Sequence, residues 1–279
     1  MTAAFAVGDK VLLVDSKQRR YLVTLADGGE FHSHNGFVPH AELIARREGI
    51  VVRSTRGATY TVLRPTLEDF VLEMPRGAQV IYPKDLAPIC MLADIGPGVR
   101  VFESGVGSGA LSMTMLRWGA EIVGYELRED FANRARANVR SFLGEDALAR
   151  YDVSLRDSYA GIDERDLDRV VLDLPEPWQV VPHAQEALRS GGIFVAYTPS
   201  IIQVSQLREA MTGRGWAGQR TLEVLNRGWH VEGAAVRPDH RMVAHTGFLT
   251  TAGAGWAETR KERPLGRSFG QSRLVVRAR

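Results

Sequence analysis

The chain has 279 residues, of which 44% are hydrophobic and 24% are charged, and its formal net charge is +2. This length exceeds one typical domain, and the composition is that of a globular protein with a sizeable core. No apolar run reaches the roughly 20 residues that span a bilayer, and Met1 to Ala6 lack the basic region that opens a secretory signal. We therefore expect a cytoplasmic protein with no membrane partner.

The cysteine and histidine content argues against disulfide and metal chemistry. The single cysteine, Cys90, cannot form an internal disulfide, and its apolar neighbours predict a small core residue rather than a nucleophile. His32, His34 and His40 lie close together in the sequence, but no acid or cysteine nearby completes a suitable ligand set. We therefore predict no metal site.

Residues 1–64 are predicted to form a small β-rich domain. Its β-branched and aromatic runs are separated by turn residues such as Asp27-Gly28-Gly29. This pattern is typical of a small antiparallel sheet or barrel. The predicted strands cover residues 11–14, 21–24, 50–52 and 60–63.

Residues 65–253 alternate between helical patterns and apolar strands, which predicts an α/β fold with a doubly wound, mostly parallel, Rossmann-like sheet. The last two strand-like runs lack long helices between them, so we expect them to close a seven-stranded sheet with an antiparallel edge. A basic tail, residues 254–279, follows; it could contact RNA or simply aid solubility. The predicted strands are 100–103, 121–125, 151–155, 169–172, 192–197, 221–225 and 246–250, with a further strand-like run over 229–236, and the predicted helices are 84–93, 110–118, 129–142, 179–188 and 202–211.

A glycine-rich turn follows the first strand of this region. Glu103 ends the strand, and glycines then stand at every second position, 105, 107 and 109, directly before a helical pattern. Such a strand, turn and helix brings backbone N–H groups close to a nucleotide-like ligand. Read as Gly105, Gly107 and Ala110, the turn also fits the dinucleotide pattern of a nicotinamide-dependent oxidoreductase, so the loop alone leaves the cofactor open.

Carboxylates follow the first four parallel strands in order. They are Glu103, Glu126, Asp157 and Asp173, and the carboxyl ends of parallel strands meet at one edge of a sheet. An acid after the second strand suits ribose hydroxyls, and one after the third suits an adenine amino group. Several carboxylates attract a cofactor with an ammonium and a sulfonium but repel a pyrophosphate. The set favours S-adenosylmethionine, although some of these acids could instead cap helices.

The segment 173–178, DLPEPW, is the second strong motif. Its two prolines fix the backbone after a buried strand and hold Asp173 at the cleft, and Trp178 adds an aromatic face. This arrangement suits a planar base with an amino group, because the carboxylate can accept from the amine and raise electron density on the attacking ring nitrogen. The alternative is that Asp173 only caps the following helix.

These motifs resemble a known family. The segment 103–109, Tyr125-Glu126 and the segment 173–178 are similar to the motifs of class I S-adenosylmethionine-dependent methyltransferases. Together with the segments 31–36, 74–85 and 237–249, they resemble the tRNA adenine N1-methyltransferases of the TrmI type, which modify adenine 58 in the T-loop. The resemblance spans nearly the whole chain except the region from Gly253 onward.

The resemblance implies methyl transfer to N1 of adenine 58 in tRNA by direct in-line displacement, and a homotetramer. It implies that Asp173 is the catalytic residue. Another nucleobase or a protein side chain as the acceptor, and a non-catalytic RNA-binding subunit, remain alternatives. The expected cofactor-binding residues are Gln79, Glu103, Ser104, Gly105, Gly107, Ser108, Gly109, Ala110, Glu126, Asp157 and Asp173, and the expected substrate-binding residues are Tyr82, Trp178, Tyr197 and His245.

Overall fold

The structure is a computed structural model that describes residues 3–77 and 79–255. Ala78, within the segment 74–85, and residues 256–279 of the predicted basic tail therefore lie outside the described residues. Among the described residues, no helix is both long enough and apolar enough to cross a membrane.

The N-terminal β-rich region is built from six strands. Four of them form an antiparallel sheet in the order β2-β1-β6-β5, and β3 and β4 form a separate hairpin. Alternation places Tyr60 and Val62 of β6 in the core, where they meet Phe5, Leu13 and Phe31. The strands are β1 (Lys10–Asp15), β2 (Arg20–Thr24), β3 (Glu30–Ser33), β4 (Gly36–Pro39), β5 (Ile50–Arg53) and β6 (Thr59–Leu63).

A seven-stranded sheet with the order β12-β15-β11-β10-β7-β8-β9 forms the second region. Strands β11, β10, β7, β8 and β9 pair in parallel, while β15 pairs antiparallel to both β11 and β12. Within the described residues, a two-stranded hairpin, β13–β14, pairs only with itself. The strands are β7 (Arg100–Ser104), β8 (Glu121–Glu126), β9 (Tyr151–Leu155), β10 (Leu167–Asp173), β11 (Leu188–Thr198), β12 (Trp216–Glu223), β13 (Trp229–Glu232), β14 (Ala235–Pro238) and β15 (Phe248–Ala254).

Helices cover both faces of this sheet and bury two separate apolar clusters. On one face, the stacked rings of Phe70 and Phe142, with centroids 4.4 Å apart, join α1 to α4. A capping box between Thr66 and Asp69 starts α1. The helices are α1 (Leu67–Glu73), α2 (Pro83–Leu92), α3 (Ala110–Arg117), α4 (Glu129–Leu143), α5 (Glu145–Leu148), α6 (Val181–Ala187) and α7 (Ile201–Met211).

The fold class predicted from the sequence is confirmed, with local corrections. The predicted helix over 179–188 is instead a 3-10 turn at Pro177–Gln179 followed by α6, and Leu188 already begins β11. The run over 229–236 is a hairpin. Helix α1 and strands β3 and β4 were not predicted from the sequence. Strand β3 could not be predicted because only Phe31 is buried and its other three residues are polar, so it shows no repeated apolar alternation.

Candidate active site

The glycine turn lies between β7 and α3 and touches the end of β10. A Cβ atom on Gly105 would lie 1.9 Å from the backbone carbonyl oxygen of Asp173, and the φ of Gly105 is +84°. Gly109 is the N-cap of α3 in the left-handed region, with φ +85°, and an added Cβ would lie 3.2 Å from Ala135 of α4. Both positions therefore require glycine, because of conformation and of space.

A cavity of about 480 Å³ opens at the carboxyl ends of β7, β8, β9 and β10. A larger groove of about 660 Å³ lies on the N-terminal sheet, but its Arg20 and Arg64 are already paired with Asp69 and Asp9. The smaller cavity is therefore the candidate site. Its walls are Gln79, Ser104, Gly105, Gly107, Tyr125, Glu126, Leu127, Arg128, Phe131, Arg156, Asp157, Ser158, Tyr159, Asp173, Leu174 and Pro175.

Glu126 ends β8 and is held by backbone amides on two sides. Its Oε2 accepts from Gly107 N at 3.0 Å, and its Oε1 accepts from Arg128 N at 3.0 Å. The carboxylate thus joins the glycine turn to the start of α4, and each oxygen keeps a lone pair for a further donor. Beside it, the Arg128 guanidinium lies 3.7 Å from the centre of the Phe131 ring.

Asp157 and its neighbours form the wall next to β9. Asp157 Oδ1 accepts from Tyr159 N at 2.9 Å, which leaves Oδ2 without a donor among the described residues. The Ser104 hydroxyl donates to Ser158 Oγ at 2.8 Å and so ties this loop to the end of β7. The wall therefore carries a carboxylate oxygen that can accept a hydrogen bond from a ligand.

Glu103 lies directly behind the glycine turn and has no solvent exposure. Its Oε2 accepts from the Ser112 hydroxyl at 2.7 Å, and Ser112 in turn pairs with the Tyr151 hydroxyl at 2.9 Å, whereas Oε1 has no partner in the described part of the chain. Burial, together with the charges of Asp173 and Glu126, raises the pKa of Glu103 to about 8. The structure thus places this expected cofactor residue outside the cavity wall, with one buried carboxyl oxygen to which none of the described residues donates.

Asp173 ends β10 and lies opposite Tyr197 of β11 in the sheet register. Burial raises the pKa of the Asp173 carboxyl to about 7. Burial also raises the pKa of Tyr197 to about 12, with added repulsion from Asp85 and Asp173. Tyr197 is therefore a neutral hydrogen-bonding group near an acid that titrates in the physiological range.

The segment after Asp173 is anchored at several points. Gln203 of α7 donates to the Pro175 carbonyl at 2.8 Å, and Glu176 N donates to the Tyr159 hydroxyl at 3.1 Å. Trp178 is partly buried against the apolar cluster beneath β10 and β11 and does not line the cavity. The segment 173–178 is thus held by contacts from α7 and from the loop after β9.

The remaining expected substrate residues, Tyr82 and His245, do not line the cavity. Tyr82 precedes α2 as its N-cap and is half-buried. His245 has both ring nitrogens engaged, with Glu223 Oε1 at 2.7 Å and the Pro199 carbonyl oxygen at 2.8 Å. Since both partners only accept hydrogen bonds, this geometry fits the protonated ring, and these partners raise its pKa.

Three other expected cofactor residues lie beneath the turn. Ser108, Gly109 and Ala110 are buried and are absent from the cavity wall. They hold the turn in place: Asn138 of α4 donates to the Ser108 carbonyl at 2.9 Å and to the Pro75 carbonyl at 3.1 Å. Asn138 thereby links the glycine turn to the segment that carries Gln79.

Several residues of the site were not predicted from the sequence. Asn138 could have been found as a polar residue on the buried face of α4, next to Ala135 and Val139. Phe131 and Tyr159 carried no comparable signal. Cys90 is buried and its pKa is raised to about 12, as expected for a core residue rather than a nucleophile.

Comparison with known proteins gives matches over most of the chain. Residues 58–242 match the family model described as tRNA methyltransferase complex GCD14 subunit, and residues 4–52 match the one described as TrmI-like N-terminal. A tRNA (adenine(58)-N(1))-methyltransferase TrmI from Thermus thermophilus is 40% identical over 242 residues, which cover 86% of this chain and 94% of that protein.

Two solved structures share the fold at high similarity. A SAM-dependent O-methyltransferase from Thermotoga maritima has a TM-score of 0.87 and 31% identity, with 94% of this chain and 97% of that one covered. The tRNA (m1A58) methyltransferase TrmI from Aquifex aeolicus has a TM-score of 0.79 and 26% identity, with 90% and 98% covered. Both neighbours are methyltransferases, as the carboxylate-lined cavity led us to expect.

The close contact at Gly105 predicts a severe effect of Gly105→Ala. The new methyl group would meet the Asp173 carbonyl at 1.9 Å, so β7 and β10 must separate at their ends. Gly107→Ala is the matched control, because its nearest atom would be 3.9 Å away and only the left-handed backbone is penalised, by about 1–2 kcal/mol. The melting temperature should therefore fall further in Gly105→Ala than in Gly107→Ala. Equal melting temperatures in the two variants would contradict this account.

The raised pKa of Glu103 predicts a pH-dependent stability difference in Glu103→Gln. The folded protein keeps a proton that the unfolded chain releases between the ordinary pKa of 4.5 and about 8, so this group's contribution to stability is lost as pH rises through that window. Glutamine does not titrate and can still accept from Ser112. The melting temperature of the variant should exceed that of the parent by about 3 °C or more at pH 8.

The same comparison near pH 4.5 should give no such gain, since the native carboxyl is then protonated. Glu121→Gln, at the exposed start of β8, serves as the control and should show no rise in this difference with pH. A melting difference for Glu103→Gln that stays constant from pH 4.5 to 8 would show that Glu103 is not held neutral by burial.

Proposed function

The chain belongs to the GCD14/TrmI family of tRNA methyltransferases, and on that premise we propose that it methylates N1 of adenine 58 in the T-loop of tRNA with S-adenosylmethionine. The observation that carries this proposal is the placement of Asp173. Its backbone touches the glycine turn, and its side chain lies on the edge of the cavity beside Tyr197. We further propose that the enzyme acts in the cytoplasm.

The hydrogen-bond acceptors of the cavity fit S-adenosylmethionine. Glu126 has lone pairs free for two ribose hydroxyls, and Asp157 Oδ2 can accept from the adenine amine. Glu103 does not line the cavity, so its carboxyl would favour the ammonium group of the methionine portion through its charge. Gln79, Ser104, Gly105 and Gly107 would complete the wall, with Ser108, Gly109 and Ala110 supporting the turn from below.

S-adenosylmethionine supplies, when bound, an electrophilic methyl group on a cationic sulfur. Asp173 would accept a hydrogen bond from the exocyclic amine of the target adenine, which orients the base and increases electron density at N1. It performs this task as the carboxylate, and a neighbouring cation favours that ionised form. Tyr82, Trp178, Tyr197 and His245 would border the base, and His245 would have to exchange one of its present partners to touch it.

The alternatives from the sequence are less well supported. A dinucleotide-binding sheet has six parallel strands in the order 3-2-1-4-5-6, whereas β15 here lies antiparallel between β11 and β12. A non-catalytic subunit would have no need for the glycine turn, the carboxylates and the anchored Asp173, all of which this chain keeps. Methylation of another nucleobase or of a protein side chain is distinguished by identifying the methylated product.

Asp173→Ala is predicted to abolish most turnover while keeping the fold. We expect kcat for methylation of an unmodified tRNA transcript to fall by at least about 100-fold, since the hydrogen bond that orients and activates the base is lost. The melting temperature should stay at or above that of the parent, because the Asp173 carboxyl is half-buried and accepts no hydrogen bond from the described residues. The assay uses labelled S-adenosylmethionine and identifies the methylated nucleoside and its position.

Two controls separate the parts of this proposal. A transcript with guanosine at position 58 should not be methylated, and methylation elsewhere would point to another acceptor. Glu126→Ala should mainly weaken binding of S-adenosylhomocysteine in calorimetry, because it removes the ribose acceptor. A parental rate in Asp173→Ala would rule out its catalytic role, and stabilisation of the protein by NAD alone would overturn the methyltransferase assignment.

We propose in addition that the enzyme is a homotetramer, with the β13–β14 hairpin as one contact surface. A hairpin that pairs only with itself, as this one does within the described residues, is marginally stable in water and needs a covering surface. Its sides and the loops around it expose large apolar groups. These are Leu225, Trp229, Val231, Val236, Met242 and Val243, each at least 42% exposed.

The double change Trp229→Asp and Val231→Glu is predicted to dissociate the tetramer. Light scattering after gel filtration should give a mass near four chains for the parent and a smaller mass for the variant, because charges would be buried in the contact. Val51→Glu, at an equally exposed valine of β5, is the matched control and should keep the parental mass. An unchanged mass in the double variant would exclude the hairpin from the interface.

A further inference from the structure

A buried lysine joins the two ends of the chain segment between β12 and β15. Residues 224–247 leave the sheet after β12, form the β13–β14 hairpin and return to β15. The Lys84 ammonium, in the first turn of α2, donates to the Val224 carbonyl at 2.7 Å and to Thr246 Oγ1 at 2.5 Å. One side chain therefore holds the beginning and the end of this excursion together.

Lys84 is neutralised by its neighbour in the chain. Asp85 accepts from the ammonium at 2.9 and 3.0 Å, and the two side chains are 6% and 0% exposed. The Thr246 hydroxyl donates to Asp85 Oδ2 at 2.6 Å while it accepts from Lys84, so both of its hydrogen-bonding roles are filled. A buried ion pair of this kind adds little stability relative to apolar side chains of similar size. We therefore infer that the Lys84–Asp85 pair has a role other than stabilising the fold.

The cluster connects to Tyr197 through the backbone of the returning segment. The Tyr197 hydroxyl donates to the Thr246 carbonyl, and a Cβ atom on Gly247 would lie 2.4 Å from Cζ of the Tyr197 ring. Tyr197 is thus held both at its hydroxyl and along its ring by residues 246–247. Since Tyr197 is the register partner of Asp173, the path of this segment sets the surroundings of the acid.

We propose that Lys84, Asp85 and Thr246 form a positioning site that fixes Tyr197 beside Asp173 for methyl transfer. None of the three lines the cavity, so they act through Tyr197 and not on the cofactor. The side chain of Thr246 fixes its own backbone carbonyl, and that carbonyl fixes the tyrosine. The inference rests on the proposed methylation of tRNA.

The test is a double-mutant cycle between Thr246→Val and Tyr197→Phe, read out as kcat at saturating tRNA and S-adenosylmethionine. Valine has the shape of threonine but neither donates nor accepts, and it leaves the Lys84–Asp85 pair intact. Each single variant should lose about tenfold in kcat, and the double variant should lose no more than the worse single one, because both changes break the same tether. Thr246→Ser, which keeps the hydroxyl, should retain the parental kcat.

Affinity for S-adenosylhomocysteine should stay within about twofold of the parent in all variants, because the cofactor walls belong to other strands. The inference would be overturned if the two losses in kcat multiplied in the double variant. It would also be overturned if Thr246→Val or Tyr197→Phe kept the parental kcat, or if Thr246→Ser were as slow as Thr246→Val. Thr246→Ala repeats the test should the valine side chain fail to pack. If the parent itself does not methylate tRNA, the proposed function fails instead.

Discussion

The site depends on the contact between the backbone of Gly105 and the backbone of Asp173. β7 and β10 are neighbours whose register ends at Ser104 and Leu172, so the next residue of each strand comes into direct contact where the sheet stops. The turn that would hold the cofactor and the acid that would hold the base are therefore separated by one backbone contact. Their distance is set by the sheet rather than by flexible side chains, which is the precision that in-line transfer requires.

The second constraint is electrostatic. Glu103 is fully buried and Asp173 is half-buried, and the charge of Asp173 contributes to the raised pKa of Glu103. Loss of solvation raises the pKa of both carboxyls in the free protein. A ligand with two positive centres offsets that loss, because its ammonium and sulfonium would favour the ionised acids. The same loss of solvation that destabilises the free protein above neutral pH would therefore favour a cation over a pyrophosphate in the proposed cofactor cavity.

Much of this arrangement could be predicted from the sequence because its signals are local. The glycines at 105 and 109 and the acids at strand ends are turn and edge features that need no knowledge of the fold's long-range contacts. Lys84 and Thr246 are separated by 162 residues in the sequence, so no local sequence pattern predicts their contact. The same holds for the raised pKa of Glu103, which depends on complete burial and on the charges of Asp173 and Glu126.

The excursion between β12 and β15 differs in its environment between its middle and its two ends. Its hairpin exposes apolar side chains far along the segment, whereas its base is pinned by Lys84 beside Tyr197. The cofactor cavity is built from the ends of β7, β8, β9 and β10 and shares no wall with this excursion. A change in the path of the excursion would therefore move Tyr197 relative to Asp173 while leaving the cofactor walls in place. The proposed subunit contact and the proposed positioning of Tyr197 thus lie in one segment, separate from the part of the protein that would hold the methyl donor.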